Sequence, residues 1–148
     1  MSSARVTAGD YSAAIERGIV ALVGVERGDG ATDVEYIARK IRELRMFDAP
    51  DDSSRESNTS FALTVQDIGG AVLVVSQFTL AADCRKGRRP SFDDAAPPEI
   101  AKPLFDAVVV ELRRAGIDVQ TGRFQATMQV ALVNDGPVTL MLDSRKRF

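Results

Sequence analysis

Two rhythms of apolar residues run along the chain. Arg5–Ala8 reads as a short strand, and Gly9-Asp10 is a turn signal that folds it back onto Ala13–Glu16. Gly18 then punctuates. Ile19–Val25, a run of apolar residues broken only by Gly24, reads as a buried strand. Thr32-Asp33-Val34-Glu35 has the form of a capping box, in which the Thr hydroxyl accepts a first-turn amide and Glu35 reaches back. Val34, Ile37, Ile41 and Leu44 follow at helical spacing, which predicts a helix from Asp33 to about Arg45. Its other face carries Glu35, Arg39, Lys40, Arg42 and Glu43 and reads as solvated. Asp48–Ser60 is polar and predicts a surface loop. Phe61–Gln66 alternates as a strand does, Asp67-Ile68-Gly69-Gly70 is a turn, and Ala71–Phe78 is a second strand, apolar enough to be covered on both faces.

Asp83–Phe92 is different in kind. It sets Arg85, Lys86, Arg88 and Arg89 against Asp83, with Gly87 and Pro90 marking a loop. Pro97-Pro98-Glu99 opens a second helix, since proline is tolerated in a first turn. Pro103 either bends that helix or marks its true start. Ile100, Leu104, Val108 and Leu112 form the expected buried stripe, and Gly116 is a good stop. Val119–Thr121, Met128–Val133 and Val138–Leu142 read as the last strands, and Arg145-Lys146-Arg147 as a basic, frayed tail. Strands and helices do not strictly alternate. That favours α+β over a regularly alternating fold, with a mixed or antiparallel, barrel-like sheet and two main helices.

Composition narrows the chemistry. A chain of 148 residues is the size of one domain, here taken as 1–148. There are 19 basic and 21 acidic side chains, a net charge of −2. No histidine is present, which excludes a Ser-His-Asp triad, a Cys-His dyad and His-ligated metals. The lone Cys84 excludes an internal disulfide. Cationic neighbours Arg85 and Lys86 favour a thiolate there, but with no histidine to move protons a bystander is the stronger reading. No metal cluster, phosphate-binding glycine loop or dinucleotide fingerprint occurs, so neither metal nor cofactor is expected. Asp51-Asp52 and Asp93-Asp94 lie among loop residues and read as solvated. The apolar runs are too short for a bilayer, and the start lacks the apolar stretch of a signal peptide. A soluble, cytoplasmic protein with no membrane partner is the expectation.

Two polar clusters interrupt apolar strands: Ser76-Gln77-Phe78-Thr79-Leu80 and Asn134-Asp135-Gly136-Pro137-Val138-Thr139. Taken alone, the first is a strand end and the second a hairpin turn. Together they resemble the two signature motifs of the D-aminoacyl-tRNA deacylases, without departure in either. Arg85-Lys86-Gly87-Arg88-Arg89-Pro90-Ser91-Phe92, Thr121-Gly122-Arg123-Phe124, Leu22-Val23-Gly24-Val25 and Ala38-Arg39-Lys40-Ile41 are also similar to that family.

The resemblance implies a homodimeric hydrolase of the D-aminoacyl-tRNA ester, with glycyl-tRNA mischarged on the alanine tRNA as a further substrate. It assigns Gln77, the backbone amide of Phe78, and Thr79 to the scissile ester. Thr79 has been cast as a nucleophile, but a hydroxyl without an adjacent base is not activated, so a positioning role is favoured, with the substrate's 2′-hydroxyl assisting. It implies a cis Gly136-Pro137 bond whose carbonyls meet the substrate ammonium in the partner subunit's pocket and exclude an L side chain. Ser76, Asn134, Val138 and Thr139 are the supporting residues of these motifs. Arg85, Lys86, Arg88 and Arg89 would hold tRNA phosphates. Family members begin with one more strand, bearing Gln-Arg-Val and an arginine that braces the Gly-Pro motif, where this chain has Met1-Ser2-Ser3. An impaired, tRNA-binding relative is therefore the alternative. A related editing module is a third reading, against which the free-standing length and intact Gly136-Pro137 speak.

Overall fold

The computed structural model describes residues 1–50 and 60–148. The elements, in order, are β1 (Ser3–Ala8), β2 (Tyr11–Ile15), β3 (Gly18–Val23), α1 (Ala31–Glu43), β4 (Ala71–Ser76), a short 3-10 helix (Phe78–Ala81), α2 (Pro98–Arg114), β5 (Asp118–Thr121) and β6 (Gln129–Val133). The strands form two three-stranded sheets, one antiparallel in the order β2-β1-β6 and one parallel in the order β3-β4-β5. The fold class is α+β.

The layering follows from β4. Val72, Leu73, Val74 and Val75 are each at most 1% exposed. Successive side chains of a strand point to opposite faces. Val72 and Val74 therefore pack with Val34, Ala38 and Ile41 of α1 and Phe105, Val108, Val109 and Leu112 of α2. Leu73 and Val75 pack with Ala4, Val6 and Ile15 of the antiparallel sheet. The helices cover one face of the parallel sheet and the antiparallel sheet covers the other. Each fully buried side chain of this kind contributes roughly 1.5–3 kcal/mol.

Several expectations are corrected. The helix start is capped at Gly30, where the Asp33 carboxylate accepts the Gly30 N–H at 2.8 Å, rather than by the Thr32/Glu35 pair. Phe61–Gln66 is not a strand. Asp67 accepts both the N–H and the hydroxyl of Thr64 at 2.8 Å and closes a turn there. That turn still drives Val65 fully into the core. The expected strand Ala71–Phe78 stops at Ser76. Pro103 lies inside a continuous α2 and leaves one carbonyl of the preceding turn without its helical donor. The buried stripe of α2 is Ala101, Phe105, Val108, Val109 and Leu112, with Ile100 half exposed. Val138–Leu142 joins no ladder. Most of the Asp48–Ser60 loop, residues 51–59, lies outside the described residues. Among the described residues no helix is long and apolar enough to cross a membrane.

Leu73→Ala removes a core side chain shared by both sheets and is expected to lower stability by about 2–5 kcal/mol. Val110→Ala, on the exposed side of α2, is expected to change it by no more than about 0.5 kcal/mol. Urea unfolding of the two variants measures the contrast, and equal midpoints would remove β4 from the centre of the fold.

Candidate active site

The first motif begins where β4 ends. The Gln77 N–H donates to the Val23 carbonyl at 2.8 Å, which carries the parallel pairing one residue past the strand. The chain then tightens into the 3-10 helix, with Leu80 N–H donating to the Gln77 carbonyl at 3.2 Å. Gly24 lies directly against this turn. A Cβ there would sit 2.9 Å from the Gln77 carbonyl oxygen and 3.1 Å from Leu80 Cβ, so the close approach of two main chains requires glycine. The Gln77 side-chain amide donates to Thr79 Oγ1 at 2.5 Å. Among the described residues, the N–H groups of Phe78 and Thr79 have no acceptor, and no titratable side chain bonds the Thr79 hydroxyl. The result is an exposed turn that offers two free amides and an oriented hydroxyl, and no base.

The second motif follows β6. Asn134 Nδ2 donates to Thr139 Oγ1 at 3.0 Å and ties the ends of the turn together. The Gly136-Pro137 peptide is cis, and Gly136 has φ +134°, a conformation that L side chains rarely adopt. A Cβ at Gly136 would lie 3.2 Å from both the nitrogen and Cγ2 of Val138. Gly136 and Pro137 are exposed. The flanks of both motifs, Leu80-Ala81 on one side and Asn134-Asp135 with Val138-Thr139 on the other, line one cavity of about 640 Å³ against β3 and α1. Gln77–Thr79 and Gly136-Pro137 lie outside that lining, and no hydrogen bond among the described residues joins them.

The basic loop is closed at its base by paired backbone hydrogen bonds between Asp83 and Ser91, at 2.8 and 2.9 Å. Arg85 is paired within the loop. Its Nε and Nη2 donate to the two Asp83 carboxylate oxygens at 2.8 and 2.7 Å. Those hydrogen bonds, with that from the Arg85 N–H, hold the exposed Asp83 carboxyl down at about 2. Lys86, Arg88 and Arg89 have no ion-pair partner among the described residues and are fully available to solvent. Cys84 is an exposed free thiol. No group of His, Cys, Asp and Glu side chains able to hold a metal occurs among the described residues.

A family model described as D-Tyr-tRNA(Tyr) deacylase matches residues 1–143. The chain belongs to the D-Tyr-tRNA(Tyr) deacylase family. A D-aminoacyl-tRNA deacylase of Koribacter versatilis (strain Ellin345) is 52% identical over 149 residues, covering 100% of this chain and 95% of the relative. One of Heliobacterium modesticaldum (strain ATCC 51547 / Ice1) is 55% identical over 142 residues, covering 95% and 90%. Among solved structures, the c-Myc DNA Unwinding Element Binding Protein superposes with a TM-score of 0.84 at 36% identity, covering 96% of this chain and 93% of that one. A probable eukaryotic D-amino acid tRNA deacylase shares the fold, with a TM-score of 0.72 at 15% identity and 88% coverage of both chains. The deacylase family is thus a family of ester hydrolases, in agreement with the resemblance read from the two motifs.

One feature of this deacylase-family chain was invisible in its sequence. The expected frayed tail is pinned. Arg145 donates to Glu26 at 3.1 Å, to Asp29 at 2.7 Å and to the Arg27 carbonyl at 2.8 Å. Arg147 reaches Glu26 at 3.0 Å and Asp143 at 2.8 Å. The tail thereby bridges the segment carrying Gly136-Pro137 and the loop that follows Gly24. Sequence spacing carries no signal for this, because the partners are more than a hundred residues apart.

Asp143 is 8% exposed at its side chain. The Arg147 guanidinium, then the N–H groups of Arg147 and Arg145, hold its carboxyl far below the usual carboxylate range, against a smaller opposing effect of burial. A depressed carboxylate contributes stability that is complete above the unfolded value of ~3.9 and is lost as the pH falls through the lowered folded value. Residues 143–148 are therefore expected to stay ordered at pH 4 and to loosen only in more acidic solution. Asp143→Ala frees them at neutral pH. Backbone ¹⁵N relaxation reads both effects, and equal tail mobility in the two proteins at pH 7 would contradict the pinning.

Proposed function

We propose that this chain hydrolyses the ester linking a D-amino acid to the 3′ end of tRNA, and that the reacting carbonyl sits at Gln77–Thr79. The observation that carries this reading is the base-free turn with the unpaired N–H groups of Phe78 and Thr79. An aminoacyl ester is activated, so its hydrolysis needs charge stabilisation more than a strong base. Removing one preorganised donor from the oxyanion of a well-studied protease costs roughly 2.7–4 kcal/mol, which shows how much such amides can supply. Gln77 fixes Thr79 as an orienting group. The substrate's own 2′-hydroxyl supplies the proton relay that no side chain offers.

Chirality follows from the second motif. The main-chain carbonyls of Gly136 and Pro137 accept from the α-ammonium. With the amine and the carbonyl carbon both held, an L side chain runs into the backbone and a D side chain points outward. Glycine has nothing to collide, so glycyl-tRNA is accepted. Discrimination by exclusion of this kind needs no contact with the D side chain.

No hydrogen bond among the described residues joins the two motif centres, and on this reading the turn is offered to the pocket of a second copy. The exposure of Val130, Leu132 and Val133 on β6, and of Leu140, Met141 and Leu142 after it, supports a homodimer. Lys86, Arg88 and Arg89 take the phosphates of the acceptor end, and Arg85 shapes their loop through Asp83.

Matched D- and L-tyrosyl-tRNA test the proposal. The protein is expected to release tyrosine from the D ester and leave the L ester intact. Gly136→Val is expected to slow D-ester hydrolysis at least ~10-fold, because the side chain strains φ and crowds Val138. Binding without turnover of either ester by the folded wild type would favour the impaired, tRNA-binding reading.

Salt dependence tests the loop. Arg88→Ala with Arg89→Ala is expected to reduce the slope of log K against log salt by roughly 1.4, at ~0.7 per single-strand phosphate contact. An unchanged slope would remove the loop from phosphate binding.

A further inference from the structure

Beside the turn of the first motif stand two aromatic rings that the reaction, as proposed, does not use. The Phe78 side chain is 58% exposed and that of Phe92 is 36% exposed. Their centroids are 5.1 Å apart, in an edge-to-face arrangement with planes inclined at 61°. Both residues keep part of their surface open to solvent. Exposed phenylalanine is ordinarily mobile, but Phe92 is held from both sides. The Asp83–Ser91 backbone pair closes the loop before it. After it, the Asp94 carbonyl accepts from Arg27 N–H at 2.8 Å, the Asp93 carbonyl from Arg27 Nε at 2.8 Å, and Ala96 N–H donates to the Val25 carbonyl at 2.9 Å. The backbone that carries the ring is held before any ligand arrives, which reduces the ordering entropy that opposes a partner stacking on it.

The same loop carries Lys86, Arg88 and Arg89, three cations without an ion-pair partner among the described residues. An exposed aromatic ring flanked by unpaired cations is the combination that binds unpaired nucleic acid: the cations follow the backbone and the ring takes a base. An apolar peptide would match the rings but not the cations, and an anionic small molecule would match the cations but not the rings. We infer that Phe92 is a stacking platform for a nucleobase of the unpaired 3′ strand of the acceptor end, with the tilted Phe78 ring packed beside it. This deepens the proposed function and rests on it. Because the amide of Phe78 belongs to the ester site, the platform measures the strand from that site and sets where the ester falls.

The test uses the full chain and an uncharged RNA minihelix with an unpaired 3′ overhang. Phe92→Leu is expected to weaken binding about 5- to 150-fold, the range for loss of one base–aromatic stack. Phe92→Trp is expected to restore it. The salt slope is expected to stay as in the wild type, since no charge is removed. The deciding measurement repeats the comparison with abasic residues in the overhang. If Phe92 stacks on a base, Phe92→Leu costs nothing further on the abasic strand, which a merely structural role would not produce. Equal binding of wild type and Phe92→Leu to the intact strand would overturn the inference, as would an equal loss on intact and abasic strands. D-tyrosyl-tRNA hydrolysis by the wild type separates the two levels. Turnover with no Phe92 effect on binding rejects the platform alone, whereas a wild type that neither binds the minihelix nor hydrolyses the ester rejects the reading beneath it.

Discussion

The burial of β4 on both faces is the constraint from which the rest of the molecule follows. Four consecutive residues, Val72–Val75, are apolar and almost wholly removed from water. A strand of that kind has to be covered twice, once by helices and once by a second sheet. Its flanking strands are parallel to it, so β3 and β4 end together, at Val23 and Ser76. The first motif begins at that shared end, where the apolar run stops and Ser76, Gln77 and Thr79 follow. Helices, second sheet and site are therefore three consequences of one hydrophobic segment. Loops at the ends of rigid strands are also where a scaffold can hold functional groups without burying them.

Glycine completes the arrangement by subtraction. At Gly24, the missing side chain lets the end of β3 press on the Gln77 carbonyl. That contact holds the Gln77–Leu80 turn, in which the N–H groups of Phe78 and Thr79 have no acceptor among the described residues. At Gly136, the missing side chain permits a φ of +134° and keeps main-chain carbonyls uncovered. Gly24 supplies no atom to the proposed reaction, and Gly136 supplies only its main-chain carbonyl. Each lacks a side chain that would stand in the way, which suits a site that works by geometry and backbone dipoles because the chain offers no histidine.

Much of this was legible in the sequence, and the failures have physical causes. The covering of β4 was readable because four apolar residues in a row leave no face for solvent. The two motifs were readable because their polar residues fall where apolar strands end. Phe61–Gln66 misled because alternation alone does not make a strand: Asp67 competes for the Thr64 backbone and hydroxyl and wins a turn. In the α2 stripe Val108 and Leu112 are buried as expected and Leu104 packs against the core, but Ile100 in the first turn is half exposed and the small Ala101 takes the buried position there. Val138–Leu142 has the composition of a strand but no neighbour to pair with inside the chain. The tail was misread because its partners Glu26 and Asp29 are adjacent only after β3 and the C-terminal segment have folded together.

The distribution of charge around the loop 83–92 shows how one cation can serve by being withheld. Arg85 is the member of the basic run whose guanidinium already makes two charge-assisted hydrogen bonds, both to Asp83. That internal pair lies exposed to water, so its Coulombic contribution to stability is small. Its effect is on shape. With Asp83 also joined to Ser91 through the backbone, the pair sets the base of the loop and thereby the direction in which Lys86, Arg88 and Arg89 project. A loop with all four cations free would carry more charge but would have to be ordered by its ligand, and that ordering entropy would be subtracted from binding. One cation and one carboxylate are used internally, and Lys86, Arg88 and Arg89 remain without an ion-pair partner among the described residues.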